Sequence, residues 1–508
     1  MKCGVFVFSW HKEIAAKSQR HKEKKMKIKK GDIVQLQIEK YAFEGKGIAK
    51  VSKNELLGIN DTDGAEKNYV VFVHGSYPGD VVKARLTKIK KSYAEAITTE
   101  IISASPDRVK AKCKYFGVCG GCKQQDLSYQ KQTEYKQLQV EEIFYKLGGL
   151  SNFIVEKILP SDDVYYYRNK MEFSFSDKRW LTKKEIATED KFQKNFALGL
   201  HIPKIFDKVL DVDECFLQSE LSNSILNFTR KFFLHRNTSV YSTKTHTGYL
   251  RNLVIRQSYH TKDLMVNLVT SEENDELLKE YSENLVNSYP AITTIVNNIS
   301  KKLSAVAVGD YEKVYFGSGY IFDKIGDYTF RISANSFFQT NTKQAEKLYQ
   351  TALEFAELKG DEIVYDLYSG AGTIAIYISE KTKQVFAFES VQSAVEDAIV
   401  NAQLNNISNV KFITADLYKS FLPVIQKNNL PYPDVMIIDP PRSGMHNNSV
   451  DDVIQLSPRR IVYVSCNPTT QVRDIKMFSD AGYKLIKIRP VDMFPQTYHI
   501  ENVALLIK

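Results

Sequence analysis

The sequence predicts a multidomain chain: an N-terminal OB-like β-barrel, an α+β central domain with a metal-cluster loop, and a C-terminal Rossmann-like α/β domain. Three observations predict it. Short strands broken by glycine follow a charged start, three cysteines crowd between Cys113 and Cys122, and the last third alternates strand and helix behind a glycine turn. A chain of 508 residues is long enough for about two to four domains, and 43% hydrophobic with 25% charged residues is an ordinary globular composition. The formal charge of +9 favours an anionic partner without identifying it. Six cysteines in such a length do not make a disulfide scaffold, and their clustering points to a metal site in a reducing cytoplasm.

Residues 1–25 read as a disordered basic leader, or as a start placed too early with Met26 the true one. No stretch approaches the roughly 20 apolar residues of a membrane span. Residues 26–105 form the barrel candidate: 33–38, 69–74, 80–89 and 92–102 read as strands, and Gly45, Gly47, Gly58, Gly64 and Pro78-Gly79 supply the turns. This is the pattern of a small, closed, antiparallel barrel of about five strands. Lys83, Lys88, Lys90 and Lys91 beside Tyr93 make a basic strip with an aromatic, as tracking a nucleic-acid backbone requires.

The central region, 106–335, opens with Cys113, Cys119 and Cys122, separated by five and then two residues in a glycine-rich loop. Three thiolates from one loop need a fourth ligand, and Cys215 is the candidate ahead of the C-terminal third. Four thiolates suit zinc or an iron–sulfur cluster; one close pair with a distant fourth ligand favours [4Fe-4S]. Residues 124–147 and 273–287 read as helices. Tyr165-Tyr-Tyr-Arg168-Asn-Lys170, Gly248-Tyr-Leu-Arg251 and Arg256 set aromatic and cationic residues side by side, able to stack bases and hold phosphates.

In residues 336–508 the strands are 362–367, 385–388, 410–414, 435–438 and the run that ends at Cys466. Gly370 and Gly372 form the turn after the first strand. Glu389, 23 residues beyond Asp366, ends the second, where an acid can accept hydrogen bonds from ribose hydroxyls. Asp416 follows the third strand and Asp439-Pro-Pro-Arg442 the fourth. A nicotinamide dehydrogenase also fits the glycine turn but gives no reason for Asp-Pro-Pro-Arg at one strand end and Cys466 at the next. A methyl donor at the first strands with a nucleophile on the fifth explains both.

With these residues in view, the chain resembles the bacterial RNA uracil-C5 methyltransferases of the 23S ribosomal RNA type, which carry a TRAM domain and an iron–sulfur cluster. The resemblance is carried by Gly45-Lys-Gly-Ile-Ala, Tyr77-Pro-Gly-Asp80, Cys113 to Cys122, Ser336-Phe-Phe-Gln339-Thr-Asn341, Asp366 to Gly372, Asp439-Pro-Pro-Arg442, Ser465-Cys466-Asn467-Pro468 and His499-Ile-Glu501. It implies a class I methyltransferase domain, S-adenosyl-L-methionine as cofactor and 5-methyluridine as product. Carried over motif by motif, Gln339, Tyr368, Glu389 and Asp439 contact the cofactor, Asp416 lies near its adenine, Cys466 is the nucleophile and Glu501 the base. Many relatives read Phe-Cys-Gly where this chain has Tyr-Ser-Gly, and Tyr368 keeps the aromatic ring.

The chemistry accounts for these residue types. Thiolate addition at C6 gives uracil C5 the carbanion character that methylation needs, and a carboxylate must then remove the C5 proton before the thiolate can leave. Neither face of a stacked base is open to such an attack, so the expected substrate is an RNA loop or a flipped uridine. Relatives acting on tRNA often lack the TRAM domain and the cysteine loop, which makes ribosomal RNA the first expectation and tRNA the alternative. A non-catalytic RNA-binding protein would need neither Cys466 nor Glu501. A monomer with no obligate protein partner and no membrane is expected.

Overall fold

Side chains that alternate between inside and outside build the N-terminal sheet of the chain, whose computed structural model describes residues 28–52, 68–188, 192–304 and 306–508. The expected leader, Met26, Gly58 and Gly64 lie outside the described residues. The strands are β1 (Ile33–Gln37), β2 (Lys40–Ala42), β3 (Lys46–Ser52), β4 (Asn68–His74), β5 (Val81–Ile89) and β6 (Tyr93–Ser103). Val34, Leu36, Val71, Val82, Ala84, Leu86 and Ala96 point into one core. The hydrogen-bonded order is β1-β5-β6-β4-β3-β2, and no ladder joins β1 to β2 among the described residues. The sheet is also not wholly antiparallel, as the sequence pattern suggested. Strand β6 turns back from β5 and lies between it and β4, so it runs in the direction of β4, with Val70 opposite Tyr93.

The chain divides into two compact units, one ending at Ala111 and resuming over Lys123–Tyr135, the other made of Lys112–Cys122 and Lys136–Lys508. Helix α1 (Tyr129–Glu142) and the short β7 (Ile154–Val155) lead into a second sheet of eight strands. These are β8 (Lys170–Ser176), β9 (Arg179–Trp180), β10 (Ala197–Ile202), β11 (Ile205–Asp211), β12 (Leu250–Gln257), β13 (Leu264–Thr270), β14 (Thr294–Ile299) and β15 (Tyr311–Phe316), in the order β15-β14-β13-β12-β8-β10-β11-β9. Helices α2 (Glu220–His235) and α3 (Asp275–Ser288) pack on it through Phe232, Phe233, Tyr281 and Leu285.

Two arginines read as phosphate contacts prove to be internal. Arg251 is 4% and Arg256 3% exposed, and both spend their guanidinium donors on backbone carbonyls: Arg251 on Ser300, Lys302 and Ser304, Arg256 on Ala334 and Ser336. The Nε–H of each has no hydrogen-bond partner among the described residues, but a buried cation whose terminal nitrogens are spent on main-chain carbonyls shapes loops and does not reach RNA.

After the hairpin β16 (Tyr320–Ile325) and β17 (Tyr328–Ser333), the C-terminal layer alternates helix and strand. It comprises α4 (Thr342–Ala356), β18 (Ile363–Leu367), α5 (Thr373–Ile378), β19 (Gln384–Glu389), α6 (Gln392–Leu404), β20 (Val410–Thr414), a six-residue helix over Leu422–Lys427, β21 (Val435–Ile438), α7 (Asn447–Leu456), β22 (Arg460–Ser465), α8 (Pro468–Asp480), β23 (Lys484–Val491) and β24 (Glu501–Ile507). The order is β20-β19-β18-β21-β22-β24-β23-β7. Strands β18 to β22 pair in parallel, and as near-continuous apolar runs they are covered on both faces. Strand β24 is reversed, pairing antiparallel with both β22 and β23. Among the described residues no helix is long and apolar enough to cross a membrane.

One ion pair holds Lys136 to this layer. Lys136 Nζ lies 2.6 Å from Asp492 Oδ1, both side chains are fully buried, and Lys136 also donates to the Phe494 carbonyl at 3.3 Å. Lys136→Met should leave Asp492 buried without its cation and lower stability by roughly 3–5 kcal/mol. The midpoint of urea unfolding measures it, and a midpoint equal to that of the parent chain contradicts the account.

Candidate active site

Parallel strands bring their carboxyl ends to one edge, and the loops that leave them converge there. Tyr368 follows β18 in the left-handed region, φ 66°, and Gly370 and Gly372 follow it at φ 53° and 78°. A side chain at Gly372 would meet the Phe412 ring at 2.6 Å and Ala398 at 3.0 Å, so the helix behind the turn can approach only because that position is glycine. A Cβ on Gly370 would meet nothing within 4 Å, which leaves the turn open on its cavity side. Glu389, at the end of β19, accepts from the Gly370 N–H at 3.0 Å and from the Ser390 and Val391 N–H groups at 2.7 and 2.8 Å. The glycine turn is thereby latched to the next strand.

Asp439 follows β21 and Cys466 follows β22. Glu501 opens β24 and reaches the same place from the opposite direction. Ser465 sits opposite Asn502 across the reversed ladder, so the residue after β22 and the residue that begins β24 are neighbours. Gln339, Tyr368, Glu389, Asp439, Cys466 and Glu501 all line one cavity of about 970 Å³. Asp416 is not among the described residues that line it. It is exposed and engaged with Lys419 at 3.1 Å and with the Tyr418 N–H at 3.0 Å.

Burial dominates the electrostatics. It lifts Asp439 to about 7. Glu501 is held well above the carboxylate range by burial and then by the Asp439 carboxylate, with Arg442 working against both. The Cys466 thiol is pushed up to about 12 by burial, then by Glu501 and Asp439, again with Arg442 in opposition. Burial, then Arg442, Lys136 and Arg168, hold His499 near 4, so its ring is neutral at physiological pH. Beneath the glycine turn, Asp366 is completely buried, neither carboxylate oxygen makes a well-formed hydrogen bond, and its pKa stands well above the usual range. Burial thus disfavours charge on Asp439, Glu501 and Cys466 alike, and the Arg442 guanidinium acts against it at Glu501 and Cys466.

Arg442 was legible only as the last residue of a motif. Its weight comes from the fold: the Asn467 side chain at the N-terminus of α8 donates to the Arg442 carbonyl at 3.1 Å and keeps that loop beside Cys466. Phe494 and the exposed Phe337 also line the cavity, and nothing in the sequence singled out Phe494. The open turn at Gly370, the Tyr368 ring, the Glu389 latch and the Asp439 carboxyl group suit a cationic, ribose-bearing ligand such as S-adenosyl-L-methionine, and the volume admits it with a base beside it.

In the cysteine loop, the N–H groups of Tyr115 and Gly121 lie 3.4 Å from the sulfurs of Cys113 and Cys119. The loop presses on β10, where Gly120 N–H donates to the His201 carbonyl at 3.1 Å; a Cβ there would lie 2.6 Å from that oxygen. Cys119 and Cys122 pack against the core that contains Cys215, whose thiol is raised to about 11 by burial and then by Cys119 and Cys113. Four thiols, two of them with N–H donors to sulfur, are the right donor chemistry for a thiolate-bound centre. Among the described residues no three ligating side chains gather closely enough to hold one metal ion. In the basic strip, Lys83 and Lys88 form exposed pairs with Glu100 and Glu95 at 2.9 and 3.1 Å, and Lys88 lies 5.6 Å above the Tyr93 ring.

Comparison with known proteins bears on this site. The family described as tRNA (Uracil-5-)-methyltransferase matches residues 252–508, and the TRAM domain matches residues 27–99. The chain is 43% identical over 487 residues to an uncharacterized RNA methyltransferase of Chlorobaculum tepidum, covering 95% of this chain and 98% of that one. It is 42% identical over 469 residues to one of Bacteroides thetaiotaomicron, covering 92% and 99%. Among solved structures it is similar to the Pyrococcus abyssi tRNA (uracil-54, C5)-methyltransferase in complex with S-adenosyl-L-homocysteine. The TM-score is 0.69 at 30% identity, covering 93% of this chain and 99% of that one.

The raised thiol has a chemical consequence that can be measured without RNA. Alkylation proceeds from the thiolate, so iodoacetamide should modify Cys466 slowly at pH 7 and roughly tenfold faster per pH unit as pH rises towards its pKa. Arg442→Ala should slow it further, because the guanidinium is what lowers that pKa. Peptide mass spectrometry separates Cys466 from the other cysteines; rapid, pH-independent labelling contradicts this electrostatic picture.

Proposed function

The chain belongs to the tRNA (uracil-5-)-methyltransferase family of RNA methyltransferases, S-adenosyl-L-methionine-dependent enzymes, and from that premise we propose a covalent route through Cys466 to 5-methyluridine in 23S ribosomal RNA. The observation that carries it is the meeting of Cys466 and Glu501 in one cavity across a reversed strand. In this reading residues 26–105 and 106–335 grip the RNA and 336–508 carry the chemistry.

S-adenosyl-L-methionine supplies an electrophilic methyl group on a sulfonium. Gln339, Tyr368, Glu389 and Asp439 hold it, with Glu389 on the ribose. Asp416 belongs to the same proposal at the adenine end, where it must leave Lys419. Cys466 adds to uracil C6 as a thiolate, and Arg442, beside it, favours the charged form. The new C6–S bond puts carbanion character on C5, the atom that takes the methyl group. Glu501 then removes the C5 proton, the ring electrons return, and the C6–S bond breaks to release Cys466. A carboxyl group with raised pKa suits that step, because once ionised it takes and keeps a proton.

Cys113, Cys119, Cys122 and Cys215 are proposed to hold a [4Fe-4S] cluster that shapes the surface around the loop and takes no part in methyl transfer. The second substrate reading, tRNA, is favoured by the Pyrococcus abyssi enzyme. Its match over 93% of this chain leaves too few residues outside it to omit the N-terminal unit, so that unit does not by itself select ribosomal RNA.

Two variants test the route. Cys466→Ala should form no adduct and transfer no methyl group. Glu501→Gln should still add and methylate, then stall, with turnover down by about 10²–10⁴ and a methyl-labelled RNA–protein conjugate surviving denaturation. Sequencing the trapped RNA reads out ribosomal or transfer RNA directly. Full turnover by Cys466→Ala would remove the nucleophile assignment. For the cysteines, anaerobically purified protein should carry about four irons per chain; stoichiometric zinc without iron rejects the cluster.

A further inference from the structure

Residues 334–341 run between β17 and α4 without forming helix or strand, and they carry Gln339 to the cavity. Their conformation is set by two side chains of the central sheet. Asn169, immediately before β8, donates through Nδ2 to the Gln339 carbonyl at 2.8 Å and to Thr342 Oγ1 at 2.9 Å, while its N–H donates to the Thr340 carbonyl at 2.8 Å. Arg256, on β12, donates to the carbonyls of Ser336 and Ala334, the latter at 3.4 Å. The two act from one place: Arg256 sits opposite Lys170, and the Gln257 N–H donates to the Asn169 carbonyl at 2.8 Å. Asn169 is 9% and Arg256 3% exposed, and neither lines the cavity. The Thr342 hydroxyl donates to Asp323 Oδ2 at 2.9 Å, so the acceptor that Asn169 uses is itself oriented.

We infer that Asn169 and Arg256 are positioning residues for the methyl-donor site, fixing the 334–341 segment so that Gln339 meets the donor. The inference rests on the reading of Gln339 as a donor contact. Main-chain carbonyls are gripped on both sides of Phe337, so the segment cannot slide without breaking buried hydrogen bonds. A side chain displaced by about 1 Å loses most of its value in binding. The donor site is therefore completed by the sheet that precedes it in the chain.

The test is calorimetric titration of S-adenosyl-L-homocysteine into the full-length protein and its Asn169→Ala, Gln339→Ala, doubly substituted and Tyr483→Phe forms. Tyr483 is the control, because its hydroxyl donates an equally buried bond at 2.8 Å to the Pro458 carbonyl, and neither residue lines the cavity. Asn169→Ala should weaken binding about tenfold. The double variant should bind no more than about twofold worse than Gln339→Ala alone, since residues that act through one another are not additive. Tyr483→Phe should bind as the parent does, and steady-state kinetics of Asn169→Ala should show a larger change in KM for the donor than in kcat. Asn169→Ser, too short to reach both acceptors, replaces Asn169→Ala if that chain fails to fold. Parent-like affinity of the Asn169 variant, fully additive losses, or equal weakening by Tyr483→Phe overturns the inference. Unchanged affinity of Gln339→Ala alone instead removes the reading of Gln339, and the inference with it.

Discussion

The site depends on one reversal of strand direction. Parallel strands all finish at the same edge of a sheet, so a residue that begins a parallel strand lies at the far edge from one that ends its neighbour. Strand β24 enters antiparallel between β22 and β23, and its first residue therefore stands beside the residue that follows β22. Glu501 and Cys466 are brought together by that geometry and by nothing local in either segment. The reversal also sets their burial, because β24 is flanked on both sides and its first residue is covered from the start.

Burial in turn sets the protonation of the cavity. Asp366, Asp439 and Glu501 are carboxyl groups in a space that disfavours three negative charges, and their pKa values rise accordingly. A bound cation reverses that bias. The Arg442 guanidinium works in the same direction on Glu501 and Cys466, favouring the charged form of each against the burial that opposes it.

Much of this was legible in the residues, and the exceptions share a cause. Strands 410–414 and 435–438 are what their apolar runs predict, and Gly370, Gly372, Glu389 and Asp439 occupy the strand ends that their spacing assigns. The parallel pairing of β4 with β6 was missed because direction in a sheet is decided by chain routing, not by side-chain alternation. Arg251 and Arg256 misled because arginine beside aromatics reads the same whether its carbonyl partners are buried or its face is open. Those partners lie 49 to 80 residues away along the chain, beyond any local pattern. Asp416 is the opposite case: its position after a strand was legible, but the pair with Lys419 that engages it at the surface was not.

The raised pKa of Cys466 also bears on how the protein survives between substrates. Hydrogen peroxide oxidises thiolates to sulfenic acid far faster than thiols, and a group held near 12 presents almost no thiolate at neutral pH. The Cys466 thiol is thus kept in the form that reactive oxygen attacks least. The burial that raises its pKa sets its resistance to oxidation by the same stroke.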